Sequence, residues 1–205
     1  MLAMESTALT PWTVVVAAQW NRSILSPNWI AKNLFGVSEG TEIEVQVPFN
    51  AVLPLKVRHG ELVVESQNNR LQVECPPEFD RLSDAMKIGL RAIGELPKTP
   101  FSAVGFNVLF ALTSTAEEIP AFRFDGYLDS TLRAADREVT MRSAQRKYRW
   151  GDGQVLVVVE ESVEQPLKLA INLERQSRNE EELKTWLQMP IAEIVAEVNR
   201  IQGWF

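Results

Sequence analysis

The chain has few side chains of the kinds that catalyse reactions or bind transition metals near neutral pH. Its 205 residues include one histidine, His59, and one cysteine, Cys75. Imidazole and thiolate groups carry much of the acid–base and nucleophilic chemistry at that pH, because their pKa values lie close to it. Clusters of His and Cys ligands also make most zinc and copper sites. The sequence therefore favours a protein that is not an enzyme, and we expect no cofactor and no metal centre.

Both residues have a simple structural interpretation. His59 precedes Gly60 in a predicted turn, so we expect an exposed turn residue, with a general base or lone metal ligand as the alternative. Cys75 ends an apolar strand before two prolines, which is typical of a small buried packing residue. A single cysteine cannot form an intramolecular disulfide, so nothing indicates an oxidising compartment.

Carboxylates offer a second route to chemistry. Asp125 and Asp129 are four residues apart, and Glu117 and Glu118 lie nearby. If Asp125 and Asp129 belong to a helix they share a face, where paired carboxylates bind magnesium or divide acid and base roles. Such spacings often arise by chance in a chain with 27 acidic residues, so solvated surface is the simpler interpretation. The glycine patterns of nucleotide-binding loops and of the serine hydrolase elbow are absent from the sequence.

A basic segment stands out in an acidic chain of net charge −6. Six basic residues lie between positions 133 and 149 against two acidic ones, namely Arg133, Arg137, Arg142, Arg146, Lys147 and Arg149 against Asp136 and Glu138. In a strand, alternate residues share a face, here Arg142, Ala144, Arg146, Tyr148 and Trp150. Arginines beside aromatic rings suit phosphates and stacked bases. The alternatives are an acidic protein partner, or plain surface paired with Glu160 and Glu161. The overall charge makes nucleic acid and anionic membranes the less favoured partners.

Aromatic residues suggest two further sites. Trp204 and Phe205 end the sequence, and we expect them to dock on the body of the protein or on a second subunit, because exposed terminal rings form a patch that favours burial. A pocket between sheet and helix is a separate hypothesis, with Trp20, Trp29, Phe106, Asn107 and Phe110 as its candidate lining. The alternative for Asn107 is a structural tether inside an apolar strand.

The elements that must position these groups alternate between strands and helices. Strand patterns cover 13–20, 43–47, 55–64 (a hairpin turning at 59–60), 71–75, 101–112, 139–150, 154–161 and 167–173. Helices are predicted from Ser26 to Gly36, at about 78–93, at about 125–135, and at the C-terminus. There Ser177 with Glu180 fits a capping box, and Pro190 opens the last helix.

Together these patterns predict an α+β fold. We expect a large, mainly antiparallel, curved sheet of eight to ten strands, packed on one face by the helix at about 78–93 and by the C-terminal helices. Residues 1–205 are interpreted as a single domain. The order of short helix, meandering strands and long helix occurs twice, so an internal duplication with halves at about 12–112 and 120–205 is an open alternative.

These expectations lead to three hypotheses about function. The first is a non-enzymatic protein-interaction module, self-associating and acting as a subunit of an assembly. The others are a small-molecule binding module and a nucleic-acid binder that uses the basic strand at 142–149. The sequence shows neither a signal-peptide pattern nor an apolar run long enough to cross a bilayer. We therefore expect a cytoplasmic protein without a membrane anchor.

Overall fold

A sheet of nine antiparallel strands forms the centre of the computed structural model, which describes residues 11–38, 40–47, 54–112, 126–162 and 167–204. The strands are β1 (Trp12–Ala18), β2 (Glu44–Gln46), β3 (Leu55–His59), β4 (Leu62–Ser66), β5 (Arg70–Cys75), β6 (Phe101–Ala111), β7 (Met141–Trp150), β8 (Gly153–Ser162) and β9 (Lys168–Gln176). The helices are α1 (Pro27–Trp29), which continues as a π-helix (Ile30–Phe35), then α2 (Phe79–Glu95), α3 (Gly126–Ala134), α4 (Glu180–Leu187) and α5 (Ile191–Gln202).

The strand order across the sheet is β2-β3-β4-β5-β1-β6-β9-β8-β7. Every neighbouring pair is antiparallel. This confirms the predicted α+β class with a large antiparallel sheet. The two edges differ in length, because β2 has three residues and β7 has ten. Of the helices that the structure describes, none is long and apolar enough to cross a membrane.

The hydrophobic core lies on one face of the sheet. Along β1, Trp12, Val14 and Val16 are buried, while the intervening Thr13 and Val15 on the other face are partly exposed. Helix α2 presents the buried stripe Leu82, Ala85, Met86, Ile88, Gly89, Ala92 and Ile93, as its apolar spacing predicted. It packs on β1 and β5, and α4 packs on β6 and β9. Helices α2 and α4 therefore cover one face of the sheet, as predicted.

The predicted end residues are correct for two helices, the α1/π-helix segment and α5, and wrong for a third, α4. The Ser26 side chain accepts a hydrogen bond from the Trp29 amide at 3.3 Å, and Gly36 takes the left-handed conformation after the π-helix. Pro190 precedes α5 as predicted. The predicted capping box of Ser177 and Glu180 is wrong, because Asn179 is the N-cap of α4 and accepts from the Glu181 amide at 3.0 Å. Asparagine caps a helix as well as serine does, and it lies next to the first helical residue.

The two parts of the chain are arranged alike around the centre of the sheet. Strands β1 and β6 pair with each other there. β1 also pairs with β5, the last strand of the meander that follows it, and β6 pairs with β9 in the same way. Helix α2 follows β5, and α4 and α5 follow β9. In this arrangement β6 corresponds to β1, so it belongs with the strands that follow it and not with the first proposed half. The duplication stays a prediction, since nothing further bears on the proposed halves.

Candidate interaction surface

Strand β7 carries the basic segment along one edge of the sheet. It pairs with β8 over its full length, from Met141 opposite Ser162 to Trp150 opposite Gly153. Among the residues that the structure describes, no strand pairs with its other side. A hairpin with a two-residue turn is closed by a hydrogen-bonded pair, here Trp150 and Gly153, and hydrogen-bonded pairs then alternate along the ladder. The amides of odd-numbered β7 residues therefore point away from β8.

The side chains of β7 alternate between the two faces of the sheet. Ala144, Tyr148 and Trp150 are partly buried and pack against the core. On the opposite face, Gln145, Lys147, Arg149 and the other odd-numbered residues, Met141 and Ser143, are exposed. Arg146 lies on the core side of the strand but is exposed at the edge. The basic residues are thus divided between the faces.

Neighbouring carboxylates pair with two of the four basic residues of β7. The Arg142 guanidinium lies 2.6 Å from Glu161 and 2.6 Å from Asp129, and the Lys147 ammonium lies 3.1 Å from Glu174. Arg142 Nε faces Asp129 outside hydrogen-bond geometry, so we treat that short contact as ionic. The hydrogen bond that Arg142 donates to Glu161 is the largest influence on the Arg142 pKa and raises it. This pairing reduces the uncompensated positive charge that a phosphate backbone requires, and it weakens the nucleic-acid hypothesis without excluding an acidic ligand.

An ionic cluster around the buried Glu197 joins β7 to α5. The Tyr148 hydroxyl donates to Glu197 Oε1 at 2.5 Å, and the Arg200 guanidinium donates to both Glu197 oxygens at 2.6 and 3.0 Å. Arg200 lies over the Tyr148 ring at 5.5 Å and over the Trp204 ring at 4.9 Å. Trp204 therefore docks on the body of the chain, while Phe205 lies outside the described residues. The arrangement combines a bidentate ion pair with cation–π contacts.

Burial and hydrogen bonding act in opposite directions on Glu197. The residue is 6% exposed, and this burial is the largest influence and would raise its pKa. The hydrogen bonds from Arg200 and Tyr148 outweigh burial and hold the pKa of Glu197 below the ordinary 4.5. For Tyr148, burial and then the Glu197 carboxylate raise the phenol pKa well above 10. The cluster therefore holds an ionised carboxylate and a neutral phenol at neutral pH.

A groove of about 470 Å³ opens beside the β7–β8 turn. It is bounded by the turn, α4 and the start of α5, with the lining residues Trp150, Gly151, Asp152, Arg175, Glu182, Thr185, Trp186, Met189 and Glu193. The rings of Trp150 and Trp186 meet edge to face at 5.5 Å. Arg175 and Glu182 form an ion pair at 2.5 Å. The groove thus combines aromatic walls with an excess of carboxylates.

The residues of the pocket hypothesis are not brought together around one cavity. Trp20, Phe106 and Phe110 are buried in the core, and Trp29 is partly buried against it. Asn107 lies on the opposite face of β6, where it donates to Thr13 Oγ1 at 2.9 Å and accepts from the Asn172 amide at 2.5 Å. Its geometry is that of a tether between strands β1, β6 and β9.

The remaining candidates take structural positions. His59 is the last residue of β3, partly buried beside the Phe35 ring at 5.6 Å. Cys75 is buried, and burial raises its thiol pKa to about 12. Asp129 pairs with Arg142, whereas Asp125, Glu117 and Glu118 lie outside the described residues. Within the described ranges, no group of three or more His, Cys, Asp or Glu side chains is placed to hold a metal ion.

Sequence reasoning missed Glu197 and Arg200. The signal was available, since Glu197 falls within the apolar stripe of Ile194, Val198 and Ile201 on α5. A charged residue at such a position requires a buried partner. Which strand supplies that partner is decided by the packing of α5 on β7, and the helical periodicity carries no information about it.

Comparisons with protein families, with curated proteins and with solved structures found no match to this chain.

Proposed function

We propose that this chain is a protein-interaction module that binds an extended segment of a partner protein along the outer edge of β7. One observation carries the proposal: a ten-residue strand ends the described sheet and pairs on one side only. An edge strand presents a row of main-chain donors and acceptors that an extended segment can pair with. The other edge, β2, has three residues and offers a much shorter row.

Exposed apolar side chains support the same surface. Met141 is 62% exposed at the start of β7, and Tyr127 and Leu128 of α3 are 79% and 55% exposed. The ion pair of Asp129 with Arg142 holds α3 beside this end of the strand. Large exposed apolar residues grouped around an edge are typical of a protein-binding surface.

The charge of β7 favours an acidic segment as the occupant. The strand has four basic residues and no acidic one. An acidic side chain on the added strand would pair across the ladder with the exposed Arg149, and such a pair contributes about 0.2–1 kcal/mol. A second copy of β7 would instead bring four further basic side chains and no acid. We therefore favour an acidic partner segment over self-association through this edge.

Peptide selection against the whole chain tests the proposal. Displayed random peptides are selected for binding, and their affinities are measured for the unsubstituted chain, for Gln145→Pro and for Gln145→Ala. The amide of Gln145 points outward, so proline removes a donor of the free edge without removing a β7–β8 bond. We expect acid-rich peptides that bind the Ala variant normally and the Pro variant at least about tenfold more weakly.

Two results would overturn this function. One is selected peptides that bind Gln145→Pro as well as they bind the unsubstituted chain, and the other is a selection that yields no binder. Basic residues also protect sheet edges from aggregation. Light scattering on a variant with Arg146→Gln and Arg149→Gln tests this protective role. If the variant aggregates and the unsubstituted chain binds no peptide, then the two arginines only protect the edge. Dimerisation of the unsubstituted chain that Gln145→Pro abolishes would identify a second copy as the occupant.

A further inference from the structure

The interface of β7 with α5 contains two successive positions of similar chemistry. At the first, the ring of Tyr148 and the carboxylate of Glu197 enclose the Arg200 guanidinium. At the second, Trp150 lies two residues further along β7 and Glu193 lies four residues earlier on α5, and both line the groove. Two strand residues span about 6.6 Å and four helical residues about 6 Å, so the two steps match in length.

The first position is filled by a cation of this chain, and the second is not. Arg200 fills the first, whereas Arg175, the basic residue that lines the groove, is paired with Glu182. Asp152 and Glu193 are exposed, and neither forms an ion pair with another described residue. Three acids and one base line the groove, so its net charge is −2. The second position thus has an aromatic ring and carboxylates but lacks the guanidinium.

One of the tryptophans at the groove carries an unpaired donor. Trp186 lines the groove and is 4% exposed, and its indole N–H has no hydrogen-bond acceptor among the described atoms. Buried polar groups are nearly always paired.

We infer that the groove binds an arginine side chain of a partner polypeptide, with the guanidinium against Trp150 and between Asp152 and Glu193. Arginine fits better than lysine because its planar group stacks on indole while it forms paired hydrogen bonds with carboxylates. This inference rests on the proposed function, because the arginine comes from a polypeptide partner. A segment that follows β7 past Trp150 reaches the groove directly, because Trp150 ends the strand and also lines the groove.

The test uses a capped Gly-Arg-Gly tripeptide and the same tripeptide with citrulline, which has nearly the shape of arginine but no charge. Each is titrated into the full chain while proton–nitrogen correlation NMR follows the indole N–H signals of the six tryptophans. Trp150→Phe assigns the Trp150 signal. We expect the arginine peptide to shift this signal saturably and the citrulline peptide to leave it unchanged.

Charge variants identify the carboxylates involved. The double variant Asp152→Asn with Glu193→Gln should bind the arginine peptide about fivefold more weakly, because two exposed ion pairs are lost. Glu181→Gln is the matched control, since Glu181 is an exposed acid of α4 that does not line the groove, and its affinity should be unchanged. Equal shifts with citrulline, an unaffected double variant, or shifts at Trp204 in place of Trp150 would each overturn the inference.

The outcome is separable from that of the proposed function. The tripeptide is too short to pair along β7, so Gln145→Pro should leave its binding unchanged. If no selected peptide binds at the edge while the arginine tripeptide still binds, then only the edge function is rejected. The reverse pattern would reject the groove alone.

Discussion

The hydroxyl of Tyr148 lies 2.5 Å from Oε1 of Glu197, and this hydrogen bond fastens the last helix to the edge strand of the sheet. Glu197 is almost fully buried, so its charge depends on partners within the protein. Arg200 supplies the opposite charge from one turn further along α5. The edge that we propose as an interaction surface is therefore held on its core side by an ionic cluster.

Removing the Tyr148 hydroxyl should destabilise the chain. Tyr148→Phe keeps the ring and its contact with Trp204 but leaves a buried carboxylate with one donor fewer. We expect the free energy of unfolding, measured with urea, to fall by about 1–3 kcal/mol. Ser143→Ala is the control, because this hydroxyl is exposed on the same strand. Equal stability of Tyr148→Phe and the unsubstituted chain would show that the hydrogen bond contributes nothing.

The contribution of Glu197 should depend on pH. Its folded-state pKa lies below the ordinary 4.5, so the unfolded chain takes up the proton first as the pH falls. The stabilisation is thus fully present above about 4.5 and is lost as the pH falls through the lower folded value. We expect Glu197→Gln to be less stable than the unsubstituted chain at pH 7, and the difference to shrink at pH 3. Urea unfolding at both pH values checks this, and a constant difference would contradict it.

Much of the fold was predictable from hydrophobic periodicity. The α2 stripe and the alternation of apolar and polar residues in β5 place their buried residues on one face without knowledge of the neighbours. In a strand, neighbouring side chains point to opposite faces, so Asn107 cannot share a face with Phe106 and Phe110. The hypothesis that all three line one pocket was therefore inconsistent with the strand predicted for them. Register, by contrast, depends on which strands meet. The Asn107–Asn172 hydrogen bond joins residues 65 apart in sequence.

The candidate site was less predictable because it is made of tertiary contacts. The basic residues of β7 were visible in the sequence, but their compensation by Asp129 and Glu174 depends on the packing of α3 and on the position of β9. The groove likewise brings together β7, β9, α4 and α5. None of these pairings leaves a periodic trace in the chain.

Cys75 should be unreactive in the folded protein. It is 1% exposed, and burial raises its thiol pKa to about 12, so both access and thiolate formation are suppressed. We expect no reaction with a disulfide reagent at pH 8 in native buffer, and one equivalent of reaction after unfolding in urea. Rapid labelling of the native chain would show that β5 opens readily.

Gly153 should tolerate no side chain. It begins β8 directly after the turn, and an added Cβ would contact both the Glu174 carbonyl oxygen and the ring of Trp186 at distances that real structures do not show. The carbonyl belongs to the main chain of β9 and cannot rotate away, so the turn or α4 would have to move.

We expect Gly153→Ala to lower the free energy of unfolding by about 1–3 kcal/mol, the usual range for overpacking. It should also change the indole signals of Trp150 and Trp186, which meet at this turn. Gly94→Ala is the matched control. No atom lies within 4 Å of its added Cβ, and alanine in helix α2 should raise stability by about 0.5–1 kcal/mol. If Gly153→Ala is as stable as the unsubstituted chain while Gly94→Ala shows its expected gain, then the turn does not pack against α4 as described.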